Sequence, residues 1–462
     1  MRAVKTLPFL NSVEQRLAGL AVFHIVFSLT VGAIGLSSWF PDLHNDRGIW
    51  NFALDSNLYE TRIIALADVI QGQGWLAWFS YPAWIHEKLY SIPYHLFGHS
   101  ILNAVWINTP LYALTLWLVY KLASSLFDEK IGAWAMLGIA LLPSYLMQST
   151  QYLRDSLLIP GQLAFLYGWV TLRARELSWR RTASGSAWVA GGFIFIWALK
   201  FYIAPFYILL GMAFLFVFLW QGLTHRASMR PFLASFALLG LCLTLQKKSE
   251  LVNVYLVTQR ENQSTPAHRE TFSLSHSNVE DPSGNQDVKD PLKNKDSTGF
   301  STSSRNVLNT QAAIIAGLRN NFRFSYPNSG SNIDTHIAFH NLSDMMFYTP
   351  RALWIGLAAP FPSMWFVEGK QTGRIGRMLA GMEMSLMYLM LGLAVLGLWK
   401  EKGNPVLWLL FGFVVAGVTL HALVITNIGC LYRFRYIYWF VMIILATPST
   451  VRILKPKESR VP

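Results

Sequence analysis

Residues 17–40 read LAGLAVFHIVFSLTVGAIGLSSWF, with one histidine and no Asp, Glu, Lys or Arg. A helix crosses the hydrocarbon core of a bilayer with about 20 mostly apolar residues, so this stretch reads as a membrane span. It is too long for a signal-peptide core and has no A-x-A-like cleavage site, which makes it a retained anchor. Similar runs follow at 101–123, 131–149, 156–172, 186–200, 202–221 and 231–246, and after a long polar stretch at 350–366, 378–399, 405–426 and 436–451. A soluble chain would have to coat so many apolar helices with charge, and soluble domains carry about 25% charged residues. Here 14% of the 462 residues are charged and 53% are apolar. The expected fold is an all-α polytopic membrane protein with about 10–11 transmembrane helices. An ordinary cytosolic enzyme and a disordered regulator are excluded, and two cysteines, Cys242 and Cys430, are too few for a disulfide framework or a structural zinc site.

The net charge is +13. In a soluble chain that surplus would point to nucleic acid, but in a membrane chain it marks cytoplasmic loops, and no nucleic-acid partner is expected. Arg2, Lys5 and Arg16 place the N-terminus inside, as do Arg173, Arg175, Arg180 and Arg181 after the fourth span and His225, Arg226 and Arg230 after the sixth. Lys400 and Lys402, and then Arg452, Lys455, Lys457 and Arg460, also read as cytoplasmic. Both sets fit only if 350–366, with Pro360 and Pro362, does not cross, which leaves Arg374 and Arg377 outside.

Three regions follow: a transmembrane core over 1–247 with an external loop at 41–100, a polar external loop at 248–349, and C-terminal helices over 350–462. Residues 259–305 are polar with almost no large apolar side chains, the composition of a mobile segment, and 306–325 reads as a helix. Residues 58–70, LYETRIIALADVI, suit an amphipathic helix at the interface.

The external segments hold the residues that could carry chemistry. Asp46, Asp55 and Asp68 are carboxylates able to act as a general base or to hold a divalent cation, although an aspartate such as Asp55 can also cap a helix. His86 and Lys88, in YPAWIHEKLY, suit a phosphate at headgroup level, or equally interfacial snorkelling and core hydrogen bonds. Arg154 and Asp155, in PSYLMQSTQYLRDSLL, either pair and cap the next helix or shape a pocket for a charged lipid head. In NIGCLYRFRYIYWF, Arg433 and Arg435 alternate with aromatics, and parity puts them outside, where positive-inside counting does not explain them. Bidentate contact with a phosphate does explain them. Lys200 closes a span and can snorkel to the interface or meet an anionic substrate, snorkelling being the simpler reading. No nucleotide-binding, serine-elbow or zinc-protease motif is present.

In order along the chain, Asp55-x-x-x-Tyr59 with Ala65, Ala67 and Gly72, then YPAWIHEKLYSIPYHLFGHS, then PSYLMQSTQYLRDSLL resemble the GT-C superfamily of membrane glycosyltransferases, in particular the bacterial glycosyltransferase family 39 type. The later PRALWIGLAAPFPSMW and the Arg433–Arg435 motif resemble features of polysaccharide-assembly members. Ser56 stands where the family usually has Glu. The resemblance implies transfer of a sugar from a polyprenyl-phosphate carrier to a lipid-linked or cell-surface glycan acceptor, outside the cytoplasm. In a bacterium this is the periplasmic face of the inner membrane. Asp55, with Asp46, is then the expected catalytic carboxylate. Tyr59, His86, Lys88, Arg154, Asp155, Arg433 and Arg435 are the expected substrate contacts, and Asp55 is the possible ligand of a Mg or Mn ion. Two other readings remain open: a surface-polysaccharide polymerase that grips its lipid phosphate with the Arg433–Arg435 pair, and a lipid-linked-glycan transporter or non-catalytic assembly protein.

Overall fold

The computed structural model describes residues 12–53, 55–173, 178–225, 230–263, 304–325 and 330–454. The expected mobile stretch lies outside them over 264–303, as do Arg2, Lys5, Arg175, Arg226, Lys455, Lys457 and Arg460. Among the described residues the regular structure is helical, with isolated bridges and no strand. Sixteen α-helices can be named in order. The first eight are α1 (Val13–Gly35), α2 (Asp55–Ser80), α3 (Ile85–Phe97), α4 (Val105–Leu126), α5 (Glu129–Ala140), α6 (Pro143–Gln148), α7 (Asp155–Leu172) and α8 (Trp179–Lys200). The rest are α9 (Ala204–His225), α10 (Arg230–Gln263), α11 (Ser304–Ser325), α12 (Leu342–Ala358), α13 (Gly373–Lys400), α14 (Pro405–Val424), α15 (Ile428–Phe434) and α16 (Tyr436–Leu454).

Among the described residues six runs are long and apolar enough to cross a membrane: α1, Ile101–Leu126, Trp179–Thr224, α13, α14 and α16. The third of these contains both α8 and α9, joined by a 3-10 turn at Phe201–Ile203. The exposed faces of these helices carry large apolar side chains, as Val22, Phe23, Val26 and Leu29 do on α1, and such surfaces are stable against lipid and not against water. α1 buries only the stripe His24, Ser28, Val31, Gly32 and Gly35, at helical spacing, so one side packs inward and the rest is free to face lipid.

Two of the expected spans take another form. The run 131–149 is divided into α5 and α6, because Pro143 cannot continue a helix and holds Leu142 in an extended conformation before it. The run 156–172 becomes α7, which is buried by its neighbours over most of its length, so it tolerates Asp155, Pro160 and Gln162. The stretch 350–366 holds the end of α12 and a 3-10 turn, and is not among the six.

α7 and α8 form a hairpin that approaches closely because glycines face each other. A Cβ on Gly192 would lie 2.5 Å from the Phe165 nitrogen and 2.6 Å from the Gly161 carbonyl oxygen. A Cβ on Gly168 would lie 2.6 Å from the Val189 nitrogen and 2.7 Å from the Gly185 oxygen. Small residues that let backbones touch are the usual adhesive between helices in lipid, where no hydrophobic drive exists.

The expected amphipathic helix at 58–70 lies within α2, which bends at Gly74, where φ is +83°. The loop before it is tied down at two points: Trp50 donates from its ring nitrogen to the Val31 carbonyl at 3.2 Å and from its backbone to Gln151 Oε1 at 3.3 Å. Asn45 organises the turn by accepting from the Ile49 nitrogen at 2.8 Å and donating to Asn57 at 2.6 Å. These bonds fix the first turn of α2 beside the junction between α6 and α7.

Candidate active site

Asp55 opens α2, and its Oδ2 accepts from Arg433 Nη2 at 2.6 Å, a contact that joins residues 378 positions apart. Arg433 sits in the last turn of α15, and its side chain is nearly enclosed, whereas that of Asp55 is 35% exposed. Arg154 precedes α7, with its guanidinium 5.8 Å from the Tyr59 ring centroid and 5.6 Å from that of Trp84. Asp155, the next residue, accepts from Lys200 Nζ at 2.8 Å, and Lys200 also lies 3.6 Å from the Phe434 ring. His86 is fully buried and meets the Tyr59 ring edge-on at 4.5 Å.

Two carboxylates, Asp55 and Asp155, thus meet three cations, Arg154, Lys200 and Arg433. A narrow cleft runs beside them, lined by Asp155, Gln162, Lys200, His421, Arg433 and Phe434. Burial, aided by the positive charge of Arg154, holds His86 well below its ordinary pKa, so its ring is neutral at pH 7. Both of its nitrogens lack a partner among the described residues. Burial likewise pushes the Tyr59 hydroxyl up to about 12, which keeps it protonated and able to donate. The group as a whole can neutralise an anion at its cationic end and accept a proton at Asp55.

Six expected site residues come together here: Asp55, Tyr59, His86, Arg154, Asp155 and Arg433. Three do not join them. Asp46 is exposed in the turn organised by Asn45. Lys88 donates to the Phe79 carbonyl at 2.7 Å and rests over the Trp78 and Phe79 rings, which satisfies it locally.

Arg435 is fully buried, donates to the carbonyls of Gly356 (3.0 Å) and Ala359, and lies over the rings of Tyr432 and Trp439. The expectation that Arg435 grips phosphate beside Arg433 is therefore corrected. Arg433 lies in the last turn of α15, whereas Arg435 stands at the break between α15 and α16, so the helix that aims Arg433 into the cleft does not carry Arg435. Lys200 is a second correction: it does not snorkel but is 1% exposed at its side chain and paired with Asp155. Arg154 and Asp155 do not pair with each other, since Lys200 takes the carboxylate. Gln162, Trp84 and His421 were not expected at the site. Gln162 and His421 lie within apolar helices with no charged residue beside them, whereas Trp84 stands two residues before His86 in YPAWIHEKLY, a segment that did single out its neighbours. Glu383, an acid within the span 378–399, is buried in α13, where it accepts from the Ser144 nitrogen at 3.0 Å and its hydroxyl at 2.6 Å.

Among the described residues no three His, Cys, Asp or Glu side chains are grouped as metal ligands, and the charge beside Asp55 is already the guanidinium of Arg433.

Residues 82–246 match the family model described as dolichyl-phosphate-mannose-protein mannosyltransferase, a family of the GT-C superfamily. Together with the six apolar runs among the described residues, the match supports an integral-membrane glycosyltransferase of the GT-C type. The matched segment holds His86, Arg154, Asp155 and Lys200, while Asp55 and Arg433 lie on either side of it. No curated protein matched the sequence.

Proposed function

We propose that the chain moves a sugar from a polyprenyl-phosphate carrier to a hydroxyl of a lipid-linked or cell-surface glycan acceptor, at the external face of a bacterial inner membrane. The observation that carries this reading is the excess of one cation in a cleft between helices whose outer surfaces suit lipid. In the reaction the acceptor oxygen bonds to the anomeric carbon as its proton passes to Asp55. The bond from that carbon to the phosphate oxygen breaks, and its electron pair leaves with the lipid phosphate. Negative charge grows on the phosphate as this happens, and fixed guanidinium groups stabilise it. Arg154 and Arg433 supply those groups, Tyr59 donates a hydrogen bond, and neutral His86 adds no competing charge.

The polymerase alternative drew on two adjacent free arginines. With Arg435 committed to backbone carbonyls, a single one remains, which favours the transferase. The test is turnover. Purified protein in nanodiscs, given a radiolabelled polyprenyl-phosphate sugar and a lipid-linked glycan, should yield labelled glycan, or slow release of free sugar when the acceptor is omitted. No labelled product and no sugar release across hexose and pentose donors would overturn the proposal.

A further inference from the structure

Lys200 and Asp155 form a buried ion pair whose role is not explained by stability. Removing two charges from water costs several kcal/mol per ion, and a buried pair seldom repays it over well-packed apolar side chains. The pair does sit where the helices favour it, with a cation at the C-terminal end of α8 and an anion at the N-terminal end of α7. Its more telling feature is what it prevents. The Asp155 carboxylate lies in the electrostatic reach of Lys200, Arg433 and Arg154, yet only Lys200 is within hydrogen-bonding distance, at 2.8 Å. Among the described residues no carboxylate lies within ion-pair distance of Arg154, whose guanidinium is held between Tyr59 and Trp84 instead.

We propose that Lys200 is a positioning residue: its ammonium holds the Asp155 carboxylate, so that the adjacent Arg154 guanidinium stays free to take an anionic lipid phosphate. Without Lys200, Asp155 is a buried charge with no partner, and the nearest remedy is to turn to Arg154 or Arg433. Either pairing spends a cation that the phosphate needs. The inference rests on the reading of the cleft as a lipid-phosphate site.

The experiment measures binding of a sugar-free polyprenyl phosphate to the full chain in nanodiscs, with transfer not required. Lys200→Met should weaken binding by about tenfold or more, and the double variant Lys200→Met/Asp155→Asn should return it to within about threefold of wild type. Arg154→Met should be weak in either background, and Lys200→Arg should bind like wild type. A double variant as weak as Lys200→Met would overturn the inference, since Lys200 would then be contacting phosphate itself or merely supporting the fold. If Lys200→Met does not fold, Asp155→Asn alone decides: binding within about threefold of wild type, or tighter, agrees, and a loss of about tenfold refutes. Failure of the underlying functional reading shows separately, as wild-type protein that binds no polyprenyl phosphate.

Discussion

Replacing Asp55 by asparagine keeps the shape of the side chain and an oxygen for Arg433, but removes both the charge and the basicity. If Asp55 takes the acceptor proton, the loss falls on the chemical step, where a positioned general base contributes about a hundred- to ten-thousand-fold. That is about 3–5 kcal/mol of activation free energy. Donor binding should move the other way or not at all. Arg433 is now held at 2.6 Å by a carboxylate that competes with phosphate for the same guanidinium, and an amide competes less. Because the Asp55 side chain is 35% exposed, solvent screens this competition, and the gain in donor affinity should stay below about tenfold. Single-turnover transfer with saturating donor measures the chemical step, and titration with polyprenyl phosphate measures the binding. Transfer by the Asp55→Asn protein within tenfold of wild type would refute the assignment of the base. A large loss of donor affinity with unchanged single-turnover rate would refute it in another way, by showing that Asp55 organises Arg433 instead of reacting.

Arg435→Ala should destabilise the protein by about 1–3 kcal/mol, because it strands the buried Gly356 and Ala359 carbonyls; a fall in the detergent melting temperature checks this, and an unchanged melt would contradict it. Gly192→Leu should separate α7 from α8 and prevent recovery of folded protein, whereas Gly191→Leu, with open space at its Cβ, should be recovered at wild-type yield by size-exclusion chromatography. Asp334 accepts from Arg351 Nε at 3.1 Å and from the Tyr348 hydroxyl at 2.8 Å. Burial raises its pKa, but these donors outweigh burial and hold it below the ordinary value of 3.8. Its contribution to stability is therefore complete above that value and is lost as pH falls through the lower folded one, and Asp334→Asn should remove this part of the acid dependence in pH-resolved melts.

The helices were legible because length and apolarity are local properties. α1, α14 and α16 follow from runs without Asp, Glu, Lys or Arg, and α4 and α13 from apolar runs that each hold a single charge, Lys121 and Glu383, while the bend at Pro143 is the kind of interruption that a long apolar window hides. The candidate site was legible by residue and not by contact. Asp55, Arg154 and Arg433 stood out as charges at the ends of spans, but nothing local says that Arg433 reaches Asp55 while Arg435 turns into the core. Lys200 was misread for a physical reason. A lysine closing an apolar helix has two ways to satisfy its charge, a headgroup layer or a carboxylate, and the carboxylate it found is 45 residues away in the chain.

The glycines between α7 and α8 reach beyond packing. Gly161 meets Gly192 some six residues from Asp155 and eight from Lys200, so two turns of each helix separate the bare contact from the ion pair at its mouth. A helix rotates about 100° for each residue added. One residue inserted between Gly161 and Asp155 would leave the hairpin closed and swing the carboxylate to a different side of α7. The hairpin therefore works as a ruler: substitutions along its lipid face can accumulate freely, while the number of residues between glycine and charge on each strand of it is fixed.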